Sequence, residues 1–132
     1  MAEDNGTLRT FASGATRDTA TNKIDPEGFL DPLVIASFSE YMDRHRVQSD
    51  GSLRDSDNWQ KGFTRAAIMK SMWRHFLDLW LLHRGHAPRS ADHLTLFSER
   101  GPEAVKQEIL CALWFNVQAY LREVILARDL AG

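Results

Sequence analysis

A single cysteine, Cys111, is all the thiol chemistry this sequence holds. That count excludes a disulfide within one chain and any zinc cage built from several thiolates of one copy, and it fits a reducing cytosol. Charge of one sign is equally scarce: 16 Lys and Arg stand against 18 Asp and Glu, for a formal net charge of -2. Such a balance exerts no broad pull on a polyanion, so nonspecific nucleic-acid binding is disfavoured. Long apolar runs are missing too. The longest are cut by Asp78 or stop far short of the roughly 18 residues that span a bilayer, and the opening MAEDNGTLRT lacks the basic and then apolar order of a signal peptide. The expectation is a cytoplasmic chain with no membrane segment. No strand signal of any length occurs either.

What the chain does have is the composition of a soluble globular protein, with 43% hydrophobic and 26% charged residues in 132. At that length one domain is expected, with a small core that takes roughly two thirds of the unfolded surface out of water. Residues 1–30 are rich in Gly, Ser, Thr, Asn and Asp and contain Pro26 and Gly28, which predicts an irregular arm ahead of a helical domain over residues 31–132. Within the arm, FASGATRDTATNK sets Arg17 and Lys23 beside Gly14, a composition able to wrap an anion; a solvated tail has the same composition. Asp31-Pro32 then starts a first helix, predicted to run to about Val47. Val34, Phe38, Tyr41 and Met42 mark its apolar side, and Glu40 and Asp43 form an ExxD pair that is either a cation ligand or a solvated helix face.

The stretch DNWQKGFTRAAIMKSMWRHFLDLWLLHRG, residues 57–85, organises the rest. Its loop carries Trp59, an aromatic that either docks on the protein or offers a flat face to a base. Thr64 caps a second helix that reaches about His83 and is stopped by Gly85. Ile68, Met69, Met72, Trp73, Phe76, Leu77, Trp80 and Leu81 surround most of that helix, so it requires apolar partners on several sides. Ser71, His75 and Asp78 nevertheless fall within about a 100° sector. That polar seam needs another segment, a metal or water, because an unpaired buried group costs about 1–3 kcal/mol, and more if charged.

Residues 86–100 read as a loop with at most a short turn near Asp92. Gly101-Pro102 opens a third long helix, to about Leu130, in which Glu108 is followed one turn later by the small residues Cys111 and Ala112. Small neighbours either leave room beside the carboxylate or allow close helix packing. The predicted fold class is therefore all-α: a bundle of three long helices after an irregular arm. It is expected to be completed by oligomerisation, as a homodimer or homotetramer.

Taken together, Phe11-x-x-Gly14-Ala15-x-Arg17-Asp18 with Lys23, Tyr41-Met42 with His45-Arg46, Asp57-Asn58-Trp59-Gln60-x-Gly62, Ser71-x-x-Arg74-His75-x-x-Asp78-x-Trp80 with His83-Arg84-Gly85, and Glu108-x-x-Cys111-Ala112 with Asn116 and Tyr120 make an ordered set. That set resembles the phage dATP/dGTP diphosphohydrolases, a family of MazG-like all-α nucleoside triphosphate pyrophosphohydrolases. The likeness runs from about residue 11 to 126. It implies hydrolysis between the α and β phosphates of a purine nucleoside triphosphate, releasing monophosphate and pyrophosphate. In phages that replace adenine by 2-aminoadenine, the corresponding enzyme makes dGMP from dGTP to feed synthesis of the modified nucleotide, and this is the role the resemblance favours.

The same resemblance implies Mg²⁺ or Mn²⁺ held by hard oxygen ligands, which neutralise the triphosphate and acidify an attacking water. Asp78, Glu108 and Glu40 are then the catalytic candidates; Asp78, Glu108, Glu40, Asp43 and His75 are the metal ligands. Arg17, Lys23, Asn58, Trp59, Lys61 and Asn116 are the candidate substrate contacts, with Trp59 against the base. On that reading Asp78→Asn and Glu108→Gln each abolish turnover without unfolding the chain. The sequence departs from the MazG-like pattern of ExxE and ExxD: it has Glu108-x-x-Cys111, with HxxD or ExxD for the other half. Two alternatives stand beside the enzyme. A hydrolase with histidine and aspartate ligands would use His75, His83, His86 and His93, although no His-Asp dipeptide occurs. A non-catalytic helical adaptor would need no metal.

Overall fold

The computed structural model describes residues 8–18 and 23–131. Helix dominates: five α-helices and two strands of three residues each, which bears out the all-α reading. By their contacts the residues form two units, which meet between Val34 and Ile35.

The first unit departs from the irregular arm. Strand β1 (Leu8–Thr10) pairs antiparallel with β2 (Thr16–Asp18), Leu8 opposite Asp18 and Thr10 opposite Thr16. The turn between them is closed by Phe11 N–H to the Ala15 carbonyl at 2.8 Å and Gly14 N–H to the Phe11 carbonyl at 2.9 Å. Gly14 has φ +89°, a value that glycine alone adopts freely. These strands are too short to leave an alternating pattern in the sequence. A four-residue helix, α1 (Pro26–Phe29), follows, capped by the Asp25 carboxylate on Gly28 N–H. The expectation for residues 1–7 and 19–22 lies outside the described residues.

Helix α2 (Pro32–Arg44) begins where the Asp-Pro signal places it, the Asp31 carboxylate accepting from Leu33 N–H. It ends before the expected Val47, because the chain turns back on itself. Val47 bridges to Leu53, Gln48 N–H reaches the Ser52 carbonyl at 2.8 Å, and Gly51 takes φ +87°. After a single 3₁₀ turn at Asn58–Lys61 comes α3 (Arg65–His83). Thr64 Oγ1 caps it by accepting from Ala67 N–H, and Gly85 stops it at φ +83°.

Residues 86–100 hold more than the expected turn: α4 spans Ala91–Arg100. The long helix α5 (Pro102–Ala131) closes the chain. In the second unit the core is where α3, α4 and α5 meet. Leu82, Val105 and Ile109 are buried there under Leu79, Leu96, Phe97 and Leu113.

Helix α5 corrects one sequence expectation. Counted as uninterrupted runs its apolar stretches are short, yet an 18-residue window has a mean hydropathy of 1.4 with no more than two charged residues, enough by length and composition to cross a membrane. Burial of one side in the core accounts for part of that apolarity. The other part is exposed: Leu110, Val117, Leu121 and Ile125 are about half accessible, as are Trp73, Phe76, Leu77 and Trp80 on α3.

Candidate functional site

Two adjoining chambers open in the second unit, with volumes of about 590 and 490 Å³. They share Tyr41, His45, His75 and Ala112. Each is in the size range of small-ligand pockets. Ala112 supplies the room: any larger side chain on this turn of α5 would intrude on both.

The larger chamber is lined by aromatic and by cationic side chains. Phe38 stacks on Trp114 at 5.6 Å, and Phe63 meets Phe115 edge-on at 5.9 Å, which fixes two walls. Trp59 lines the same space from the 3₁₀ turn, with the Arg122 guanidinium 5.3 Å from its ring centroid. Gly62, at φ +98° and ψ 152°, ends that turn in a conformation essentially confined to glycine. Among the lining residues, Arg46 Nε donates to the Arg54 carbonyl at 2.7 Å and Arg54 Nη1 to the His45 carbonyl at 3.3 Å, so backbone holds both guanidinium groups. Asn116 is buried and donates from Nδ2 to Ser71 Oγ at 3.3 Å.

The smaller chamber is polar. Glu108 accepts from Arg44 Nη2 at 2.9 Å and pairs with His45 Nε2 at 2.7 Å, tying α2 to α5. Tyr41 packs its ring 4.2 Å from that of His45. Burial, followed by the nearby Glu108, Cys111 and Asp92, pushes the Tyr41 hydroxyl up to about 12, so it stays protonated. His75 has its Nδ1 buried with no partner among the described residues. Burial, then the adjacent His93, hold its pKa below 6.5 against the opposing pull of Asp92, so the ring is neutral at pH 7. The two imidazole centroids are 5.3 Å apart.

Asp78 completes the arrangement from beneath. It is 1% exposed, and Oδ1 accepts from Arg89 N–H at 2.8 Å while Oδ2 accepts from Ser90 N–H at 3.2 Å and from His93 Nδ1 at 2.7 Å. Burial alone would raise its pKa, but the Arg89 amide, His93 and Ser90 outweigh that and hold it below the usual 3.8. A residue of α3 thereby holds the two amides that lead into α4, where Ser90 makes no side-chain cap bond of its own.

This geometry redistributes the residues expected to act together. Asn58, Trp59, Asp43, His75, Asn116 and Glu108 do line the chambers. Glu40 and Lys61 are exposed and line neither; Arg17 and Lys23 are exposed residues of the first unit. The expected metal ligands do not converge. Among the described residues, no group of three or more His, Cys, Asp or Glu side chains could hold an ion. The physical reason is competition: Asp78 spends both oxygens on α4 and the two residues before it, Glu108 is paired with Arg44 and His45, and Asp43 with Arg46 at 3.3 Å. These side chains do not fit a preformed cage.

Sequence reasoning missed Arg54 and placed His93 only in the alternative hydrolase with histidine and aspartate ligands. His93 fell in the segment read as a loop, and its carboxylate partner is 15 residues earlier, a separation with no helical or strand period behind it. Comparison of the chain with protein-family models, with curated proteins and with solved structures found no match.

Proposed function

We propose that this chain hydrolyses a purine nucleoside triphosphate, with dGTP or GTP favoured, to the monophosphate and pyrophosphate in the cytoplasm. One observation carries the reading. Four stretches that underlie the family resemblance and lie far apart in sequence contribute to one pair of chambers: Tyr41 to Arg46, Asn58-Trp59, Ser71 with His75, and Glu108 to Asn116. An aromatic wall beside a polar recess suits a ligand with a flat base at one end and phosphates at the other. Guanidinium groups among the lining residues suit the phosphate charge.

The divalent ion enters this proposal with the substrate. Mg²⁺ is commonly held by one or two carboxylates together with substrate phosphates, so a nucleotide that brings Mg²⁺ or Mn²⁺ needs no closed protein cage. The feeding of 2-aminoadenine synthesis belongs to the same proposal and rests on the resemblance.

A second copy of the chain, as a homodimer or homotetramer, is proposed to cover the apolar face of α3 and α5. Trp73 is 64% and Leu121 53% exposed, a large side-chain area to leave in water. Light scattering at micromolar concentration is expected to exceed the 15.0 kDa of one chain; a strict monomer rejects this part.

The test of the reaction is product analysis after incubation with dGTP, GTP, dATP, dCTP and dTTP, with Mg²⁺ or Mn²⁺ and with chelator. Monophosphate plus pyrophosphate from a purine triphosphate, lost with chelator, supports the proposal. No turnover of any triphosphate overturns it and leaves the helical adaptor, for which the exposed α3 and α5 face is the surface.

A further inference from the structure

The His-Asp pair absent from the sequence as a dipeptide is assembled in space, and it is placed to act. Asp78 is an ionised carboxylate, an acceptor only, so the 2.7 Å contact fixes the proton of His93 on Nδ1. In the neutral ring that leaves Nε2 as a bare acceptor. No described residue bonds to this atom, and it is not among the buried unpartnered side-chain atoms, of which His75 Nδ1 is the only one among the described residues. His93 as a whole is 3% exposed, so it meets open space only where it lines a chamber. The polar chamber is the space this side chain lines.

We propose that His93, held in this tautomer by Asp78, takes the proton of the water that attacks the α phosphorus. The proposal rests on the reaction proposed above. In the step, the water O–H proton passes to His93 Nε2 as the water oxygen bonds to the α phosphorus. The bond from the α phosphorus to the oxygen bridging it to the β phosphorus breaks, and its electron pair leaves on that oxygen with pyrophosphate. The imidazolium, stabilised by the adjacent Asp78 carboxylate, then returns its proton to solvent. Asp78 is a positioning residue and stays ionised throughout.

The other charged and titratable groups facing this chamber are Tyr41 from α2 and His45 just after it, Arg74 and His75 from α3, Asp92 from α4 and Glu108 from α5. Glu108 and His45 are already paired with each other. Tyr41 is held protonated, and Arg74 has no acceptor to offer. His75 has its Nδ1 buried with no partner among the described residues, so no neighbour fixes its tautomer. Asp92 accepts from the His93 backbone N–H at 2.9 Å, and His93 is the imidazole of this chamber whose Nδ1 is held by a carboxylate.

The deciding experiment uses the full chain with dGTP and Mg²⁺. Wild type, His93→Gln and His93→Ala are compared for kcat, KM and thermal unfolding, the alanine variant also with added imidazole. Loss of a positioned base is worth about 10²- to 10⁴-fold in kcat. The expected result is a fall of that size for His93→Gln with KM changed by less than about threefold, and dose-dependent recovery of His93→Ala by imidazole. A folded variant that keeps kcat within about threefold overturns the proposal, as does a folded alanine variant that imidazole fails to rescue.

If the alanine variant does not fold, the glutamine variant decides alone. Nitrogen NMR of the free wild-type protein gives a readout apart from turnover: a proton on Nε2 with a bare Nδ1 refutes the tautomer and the proposal. Wild type that turns over dGTP while His93→Gln remains fully active removes this inference and leaves the proposed reaction standing. Wild type inactive on every triphosphate removes both.

Discussion

Replacing Asp78 by alanine tests the structural role assigned to it most directly. The carboxylate is 1% exposed and receives three donors: the Arg89 amide at 2.8 Å, the Ser90 amide at 3.2 Å and His93 Nδ1 at 2.7 Å. Hydrogen bonds to a charged group contribute about 1.5–3 kcal/mol each, but three on one carboxylate do not add in full, because water enters the space left by truncation. Removing one partner of a buried charged pair costs about 3–5 kcal/mol, and that is the expected loss. Against a total stability of about 5–15 kcal/mol it is severe. For a chain this long it lowers Tm by about 10–20 °C, read by circular dichroism at pH 7.

The pH dependence follows from the sign of the shift. A carboxylate held below its usual 3.8 stabilises the fold fully above that pH and loses its contribution as pH falls through the depressed value. The gap between wild type and variant is therefore constant through neutral pH and closes in acid. A variant within about 0.5 kcal/mol of wild type at pH 7 refutes the role assigned to these bonds. Asp78→Asn keeps one acceptor oxygen and is expected to lose roughly half as much, about 2 kcal/mol. A loss of that size leaves the chain folded, as the sequence-based expectation for this variant has it.

The remaining predictions concern the core, the loop and the cleft. Ile109→Ala removes a side chain with 0% exposure from the centre of the core and is expected to cost about 2–5 kcal/mol in chemical denaturation. Gly62→Ala forces a side chain into φ +98° with Glu123 Oε1 3.3 Å from the new Cβ; a loss of about 1–3 kcal/mol and a changed Trp59 fluorescence environment are expected. Glu108→Gln breaks ion pairs whose partners are 58% and 50% exposed, so its cost in denaturation is expected to stay under about 1 kcal/mol while dGTP turnover falls. Trp59→Ala is expected to weaken nucleotide binding about tenfold in equilibrium titration, with inorganic pyrophosphate binding unchanged.

Helix ends were legible where the signal was local. Thr64 caps α3 through its own side chain, Gly85 stops it, and Gly101-Pro102 opens α5. Helix α4 was illegible for the complementary reason: the two amides that lead into it are held by a residue of another helix, and no window of sequence around Ser90 contains that carboxylate. The seam of Ser71, His75 and Asp78 was readable as a demand for partners, and Asn116, Ser90 and His93 supply them at its two ends. Which partners they would be was not readable, since Asn116 is 45 residues from Ser71. What the carboxylates are free to bind was not readable at the same level. Carboxylate spacing along a helix gives direction, but Arg44 at the end of α2 and His45 just after it hold Glu108.

The Asp78 clasp also sets an order of assembly. Its bonds join residues only 11, 12 and 15 positions apart, so the α3 to α4 corner closes a short loop at small entropic cost. The bonds that seat α2 on α5 through Glu108 span 63 and 64 positions, and α2 buries no residue at all. The corner therefore belongs among the early contacts in folding, and α2 docks late. By the same contrast α2 is the first part of the second unit to open under native conditions, and its amides exchange with solvent before those of the α3, α4 and α5 core. Since α2 and the residue after it contribute Tyr41 and His45 to both chambers, the wall most easily lost is one that both chambers share.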